Sequence, residues 1–207
     1  VAANPRFLGA RIGFFAVLHT WGQTLVHHPH LHCVVPAGGL APDRRTWVAC
    51  KRGFFLPVRV LSRIFRARDL DGLRDAHRRG LLGEFAAVEL DDLVTRCLQK
   101  PWVVFAKPPF HGADAVLTYL ARYTHRVAIS NHRLVSLDDQ RVRFRFKDYR
   151  GRRVRHQQLP LAEFARRFLL HVLPRGFVRI RYYGLLAHGC RRRMLPRCRL
   201  ALETPVD

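Results

Sequence analysis

Apolar residues first gather in Ile12-Gly13-Phe14-Phe15-Ala16-Val17-Leu18-His19, a β-rich run that reads as a strand. A connection through Trp21-Gly22-Gln23 leads to a second strand in His30-Leu31-His32-Cys33-Val34-Val35, expected to lie beside the first and stopped by Pro36-Ala37-Gly38-Gly39. Side chains alternate faces along a strand. His30 and His32 therefore share one face, about 7 Å apart at their Cα atoms, while Leu31 and Cys33 are expected to enter a core on the other. Trp47-Val48-Ala49-Cys50 adds a third strand after the Pro42-Asp43 turn.

From Val58 to Gly83 the period changes. Val60, Leu61, Ile64, Phe65, Leu70, Leu73 and Leu81 recur at helical spacing with arginines between them, which predicts one or two amphipathic helices. Residues 84–99 read as helical too. Trp102-Val103-Val104-Phe105-Ala106 has the signature of a short buried strand ended by Pro108-Pro109, and a helix is expected from Asp114, a suitable N-cap, to His125. Val127–Leu137 and Arg141–Tyr149 read as a hairpin around Asp138-Asp139. In its second arm Val142, Phe144 and Phe146 alternate with Arg141, Arg143, Arg145 and Lys147, one face for a core and one for solvent or phosphate. Leu161–Leu173 is an expected helix with the stripe Phe164, Phe168 and Val172, closed by Pro174-Arg175-Gly176. Residues 177–187 are mixed and lead into a basic tail at 188–207. A single α+β domain over residues 1–187 with an antiparallel sheet is the economical reading.

Composition narrows the class of partner. With 37 Lys+Arg against 15 Asp+Glu the formal charge is +22, which points to a polyanion, and the dominance of arginine suits phosphate geometry. A hydrophobic content of 48% is ample for a core and excludes a disordered chain. No run of about 18 uncharged apolar residues is present, so no membrane span is expected. Five cysteines, odd in number and without a CxxC pair, read as reduced cytosolic thiols. A zinc site on His188, Cys190 and Cys198 has poor spacing.

Two clusters could carry chemistry. His27-His28-Pro29-His30-Leu31-His32 holds four histidines in six residues, and the pair on one strand face is close enough to share a cation. Tyr119 and Tyr123 are four apart on the expected helix and lie one turn from each other on one face. A phenol at helical spacing is ordinarily a packing group. Beside a histidine pair in a strongly basic chain, however, tyrosine, imidazole and cation form a set able to cleave DNA, with the cation offsetting phosphate charge and a phenol attacking phosphorus.

This combination resembles the HUH endonucleases, and more narrowly the two-tyrosine rolling-circle transposases of the insertion sequence 91 family. The likeness is carried by His19-Thr20-Trp21-Gly22-Gln23, His28-Pro29-His30-Leu31-His32, Gly38-Gly39-Leu40 and the block from Tyr119 to Asn131. It continues through Phe146-Lys147-Asp148-Tyr149-Arg150, Phe168–Pro174 and Arg179-Ile180-Arg181-Tyr182-Tyr183-Gly184-Leu185.

The resemblance implies an α+β HUH fold, a central antiparallel sheet flanked by helices with the histidine strand in its middle. It implies cleavage of single-stranded DNA at transposon ends through a 5′-phosphotyrosine on Tyr119 or Tyr123, leaving a free 3′-hydroxyl. The implied cofactor is a divalent ion, Mg2+ or Mn2+, on His30 and His32. Gln23 is the preferred third ligand, with His19 and His28 as competitors. Arg122, Arg126, Arg143, Arg145, Lys147, Arg179 and Arg181 are the expected DNA contacts, and Tyr149, Tyr182 and Tyr183 are expected to pack or touch DNA. A bacterial cytoplasmic, nucleoid-associated location follows from that role, and the oligomeric state stays open. Members of the family carry an N-terminal zinc-binding segment, so the sequence reads as N-terminally truncated. A rolling-circle replication initiator with the same chemistry, or a decayed DNA-binding remnant, is the alternative.

Overall fold

The computed structural model describes residues 1–53, 55–110, 112–124, 128–149 and 151–203. In the helix at 113–124 the side chains of Ala113, Leu120, Arg122, Tyr123 and Thr124 are outside that description. In chain order the elements are β1 (Gly13–Trp21), β2 (His27–Val34), β3 (Gly38–Leu40), β4 (Trp47–Ala49), α1 (Val58–Arg78), α2 (Ala87–Gln99) and α3 (Ala113–Thr124). There follow β5 (Leu134–Leu137), β6 (Arg141–Asp148), β7 (Arg153–Pro160), α4 (Leu161–Leu169), β8 (Ile180–Gly184) and α5 (His188–Glu203). The architecture is α+β with antiparallel sheets.

The chain divides into two compact units. The unit of residues 13–36 and 110–195 holds a three-stranded sheet in the order β2-β1-β8 and a second in the order β5-β6-β7. β1 is central, so its apolar run is flanked on both edges, with Val17 and Ala16 buried. β8 crosses it with Gly13 opposite Gly184, and a Cβ on Gly13 would stand 2.8 Å from Leu186 Cγ, so only glycine fits. The histidine strand β2 lies at an edge, where the middle position was expected.

Its apolar residues also depart from expectation. Leu31 is 49% exposed and Cys33 is exposed, whereas His30 and His32 are half-buried. The imidazole face is the one that receives cover, because Tyr119 of α3 reaches it.

Trp21, Leu25, Ala128, Ile129, Phe144 and Leu159 form the core of this unit, with Phe164 and Phe168 of α4 packed against it. Val142 and Phe144 face inward as the alternation of β6 requires. The 138–139 turn is held by Asp138 Oδ1, which accepts from Gln140 N–H at 2.9 Å and Arg141 N–H at 2.7 Å. The first hairpin arm is shorter than its apolar content suggested, since Ala128 and Ile129 turn into the core and Asn131–Arg133 form one 3-10 turn before β5. Residues 125–127 lie outside the described set. α4 ends at Leu169, and Val172, expected on its apolar stripe, is 61% exposed. Departure from the helix sets His171 inward, where Nε2–H donates to the Leu25 carbonyl at 3.1 Å and Nδ1 meets Thr20 Oγ1 at 3.2 Å.

The unit of residues 1–12, 37–109 and 196–207 contains the β3–β4 hairpin and the helix pair α1 and α2. Leu70, Leu90 and Val94 make its small core, with Leu73, Cys97 and Trp102 against it. Glu89 accepts the Ala86 N–H at 2.9 Å and caps α2. Residues 102–106 are not a strand. Trp102 folds onto the helices, 5.2 Å from the Phe65 ring and with its indole N–H on the Cys97 carbonyl at 3.3 Å, while Val103 and Phe105 are 88% and 77% exposed. Pro101, Pro108 and Pro109 deprive the segment of donors on both flanks, which works against a ladder. The stretch read as a basic tail is helical over 188–203, and the boundary between the units falls within α5.

Candidate active site

β1 and β2 run antiparallel with His19 opposite His30 and Val17 opposite His32. Residues opposite each other share a face, so His19, His30 and His32 project together. Ring centroids are 5.0 Å apart for His19 and His30, 5.5 Å for His19 and His32, and 4.8 Å for His30 and His32. One ring nitrogen from each lies within 4.8 Å of the others. A shared cation at about 2.1 Å from each nitrogen would hold them about 3 to 3.5 Å apart.

The protonation pattern suits such a role. His30 Nδ1–H donates to the His28 carbonyl at 2.7 Å, which fixes the tautomer and leaves the Nε2 lone pair facing His19 Nδ1 at 3.3 Å. The pKa of His19 is lowered to about 4, first by burial and then by the charges of His30, His32 and Arg179. A neutral imidazole is the ligand-competent form.

Tyr119 completes the group. α3 carries its hydroxyl to 2.6 Å from His32 Nδ1, with the Phe110 ring packed 5.1 Å from the Tyr119 ring. Tyr123 lies one turn along the same helix, and its side chain is outside the described residues, as are that of Arg122 and all of Arg126.

Gln23, the preferred third ligand, is not brought to the imidazoles. Its Oε1 accepts the backbone N–H of Lys147 at 3.1 Å and its Nε2 donates to the Tyr149 hydroxyl at 3.5 Å, while its carbonyl accepts from Arg133. The carboxamide is thus a bracket to β6, and the third imidazole is His19. The strand register carries this signal: a short connection between two antiparallel strands sets the end of the first against the start of the second. His28 contributes its carbonyl to His30. His27 stacks 5.9 Å from His171 and is exposed. His171 lies within the Phe168–Pro174 block, but nothing in its local pattern assigns it a role.

Arg143, Arg145 and Lys147 lie on the exposed face of β6. Arg145 donates to the His132 carbonyl. Arg179 stacks its guanidinium 5.0 Å over Trp21, whose ring is 4.0 Å from His19, and Arg181 lies 5.7 Å over Phe177. Tyr183 stacks on Phe14 at 4.8 Å and Tyr182 leans on Phe15 at 5.9 Å, which makes both packing groups of the β1–β8 pair. Asp148 pairs with Arg155 at 3.0 Å.

Residues 13–193 match the family model Y2_Tnp, described as "Putative transposase". The chain belongs to this family. The matched span includes β1, β2 and α3, and with them His19, His30, His32, Tyr119 and Tyr123. Among curated relatives, "Putative transposase y4qJ" of Sinorhizobium fredii is 58% identical over 100% of this chain and 54% of its own length. The "Transposase for insertion sequence element IS801" of Pseudomonas savastanoi pv. phaseolicola is 28% identical over 94% of this chain and 48% of its own. The chain therefore spans about half the length of the curated relatives it matches. No solved structure matches it. Among the described residues no helix is long and apolar enough to cross a membrane.

Proposed function

We propose that this chain is the catalytic part of a rolling-circle transposase of HUH type, which nicks and rejoins single-stranded DNA at the ends of a mobile element through a phosphotyrosine. The observation that carries the reading is the 2.6 Å bond between the Tyr119 hydroxyl and His32, one of three imidazoles gathered on one sheet face.

His19, His30 and His32 are the residues that would hold a divalent ion. Three nitrogen donors fit Mn2+ better than Mg2+, which prefers oxygen. Bound there, the ion would offset the negative charge that grows on the scissile phosphate. His32 fixes the phenol oxygen of Tyr119, and His30 is itself held by the His28 carbonyl. Attack by that oxygen forms a Tyr–O–P bond and breaks the P–O3′ bond, which leaves a 5′-phosphotyrosine and a free 3′-hydroxyl. Energy of the broken ester is kept in the adduct, so a second hydroxyl can reseal the strand without ATP. Tyr123, one turn away, gives a second nucleophile for the other DNA end. Arg179, stacked beside His19, and Arg122 and Arg126 supply phosphate contacts, whereas Arg181, opposite Ala16 in the β1–β8 register, is on the other face of the sheet. Action on a bacterial genome implies a cytoplasmic, nucleoid-associated protein.

Incubation with single-stranded oligonucleotides and Mn2+ tests the reading. A denaturant-resistant protein–DNA adduct should form, disappear in the Tyr119→Phe/Tyr123→Phe double variant and fall by about 10²-fold or more in His30→Ala. Binding without any adduct would favour a DNA-binding remnant.

A further inference from the structure

The outer face of β6 has a composition that the cleavage chemistry leaves unused. Inward alternation of Val142, Phe144 and Phe146 sets Arg141, Arg143, Arg145 and Lys147 outward, and Tyr149 follows in the same period just past the strand end. Across the ladder their partners on β7 are Pro160, Gln158, His156 and Val154. No carboxylate stands among these described outer-face residues of β6 and β7: Asp148, which meets Arg155 and Gly151, belongs to the other register, and Asp138 lies in the turn before the strand, where it accepts the backbone N–H groups of Gln140 and Arg141. Tyr149 is 68% exposed, and Lys147 Nζ lies 5.6 Å from its ring centroid. A row of cations ending in an exposed aromatic ring is the combination that holds unpaired nucleic acid, since phosphates follow the charges and a base can stack on the ring.

We propose that the outer face of β6 and β7 is a single-strand DNA track, with phosphates along Arg141, Arg143, Arg145 and Lys147 and a base stacked on Tyr149. The track is about 27 Å long, room for about eight nucleotides at stacked spacing and fewer when stretched. It also has a direction. Gln23 joins Lys147 and Tyr149 and follows His19 by four residues, a chain span of at most about 14 Å. Tyr149 is therefore the end of the track toward the imidazoles, and the stacked base belongs within a few nucleotides of the phosphate to be cut. Duplex DNA offers no base face for the ring.

The inference rests on DNA as the partner and not on tyrosine chemistry, so it is tested in EDTA, where cleavage is silent. Fluorescence anisotropy of the full chain with a labelled oligothymidylate and with a duplex of equal length should show tighter binding of the single strand. Arg141→Gln/Arg143→Gln should lower the slope of log K against log salt by about 1.4. Tyr149→Ala should weaken binding about tenfold, while Tyr149→Phe, which keeps the ring, stays near wild type. A 2-aminopurine within the oligonucleotide should be quenched by wild type and by Tyr149→Phe but not by Tyr149→Ala. Equal binding by wild type and Tyr149→Ala with unchanged quenching, an unchanged salt slope in the arginine variant, or a preference for duplex would overturn the proposal. Adduct formation is read with Mn2+ and the track in EDTA, so loss of the adduct and loss of the track are separate results.

Discussion

Three imidazoles converge because two antiparallel strands place His19 opposite His30 and leave His32 two residues further on the same face. That assignment separates His19 from Gln23 as a ligand. His19→Ala should weaken Mn2+ binding in calorimetry by about tenfold or more, whereas Gln23→Ala, which removes only the bracket to β6, should change it by less than about threefold. The reverse order would restore Gln23 to the site. The same imidazole governs a pH dependence. In the folded metal-free protein His19 is held to a pKa of about 4 and His171 is also lowered, chiefly by burial. An unfolded chain protonates histidine near pH 6.5, so between about 6.5 and 4 the unfolded state binds more protons and stability falls as pH falls. Urea midpoints should drop between pH 7 and pH 5, and the drop should shrink in His19→Gln/His171→Gln. A midpoint flat across that window would contradict the burial of both rings as neutral groups.

At the level of elements, the β1–β2 connection is the most constrained piece of the site. Leu25 is fully buried at φ 59°, a conformation unfavourable for a branched side chain, and its carbonyl accepts from His171, which also meets Thr20 on the opposite face of β1 from His19. His171→Phe leaves the Thr20 hydroxyl and the Leu25 carbonyl without this partner and should cost about 1–3 kcal/mol in denaturant unfolding. No change in stability would show that the bridge holds nothing. β1, β2, the first helices and β6 were legible because each has an unbroken apolar run or a clean period. β7, Arg153–Pro160, was not: Arg-Val-Arg-His-Gln-Gln-Leu-Pro has little hydrophobic alternation, and its strand state follows from full pairing with β6. Residues 102–106 misled in the opposite sense, as an apolar run with no ladder to join. The third imidazole required a register, which depends on pairing between segments.

For the molecule as a whole, a charge of +22 and membership of a transposase family are what support the proposed polyanionic partner, and the arginines on β6 lie in the unit that holds the imidazoles and Tyr119. What the sequence could offer at this scale was the class of partner and the two clusters. Their juxtaposition is a property of the fold, because Tyr119 and His32 are 87 residues apart and meet only when α3 covers the sheet. The central claim is that this meeting makes Tyr119 or Tyr123 a nucleophile toward DNA. Its most direct test is to trap the adduct formed with single-stranded DNA and Mn2+, digest it, and locate the nucleotide-bearing residue by mass spectrometry. The account predicts the label on Tyr119 or Tyr123; a label on Tyr149, Tyr182 or Tyr183, or cleavage with no protein-linked nucleotide at all, would contradict it.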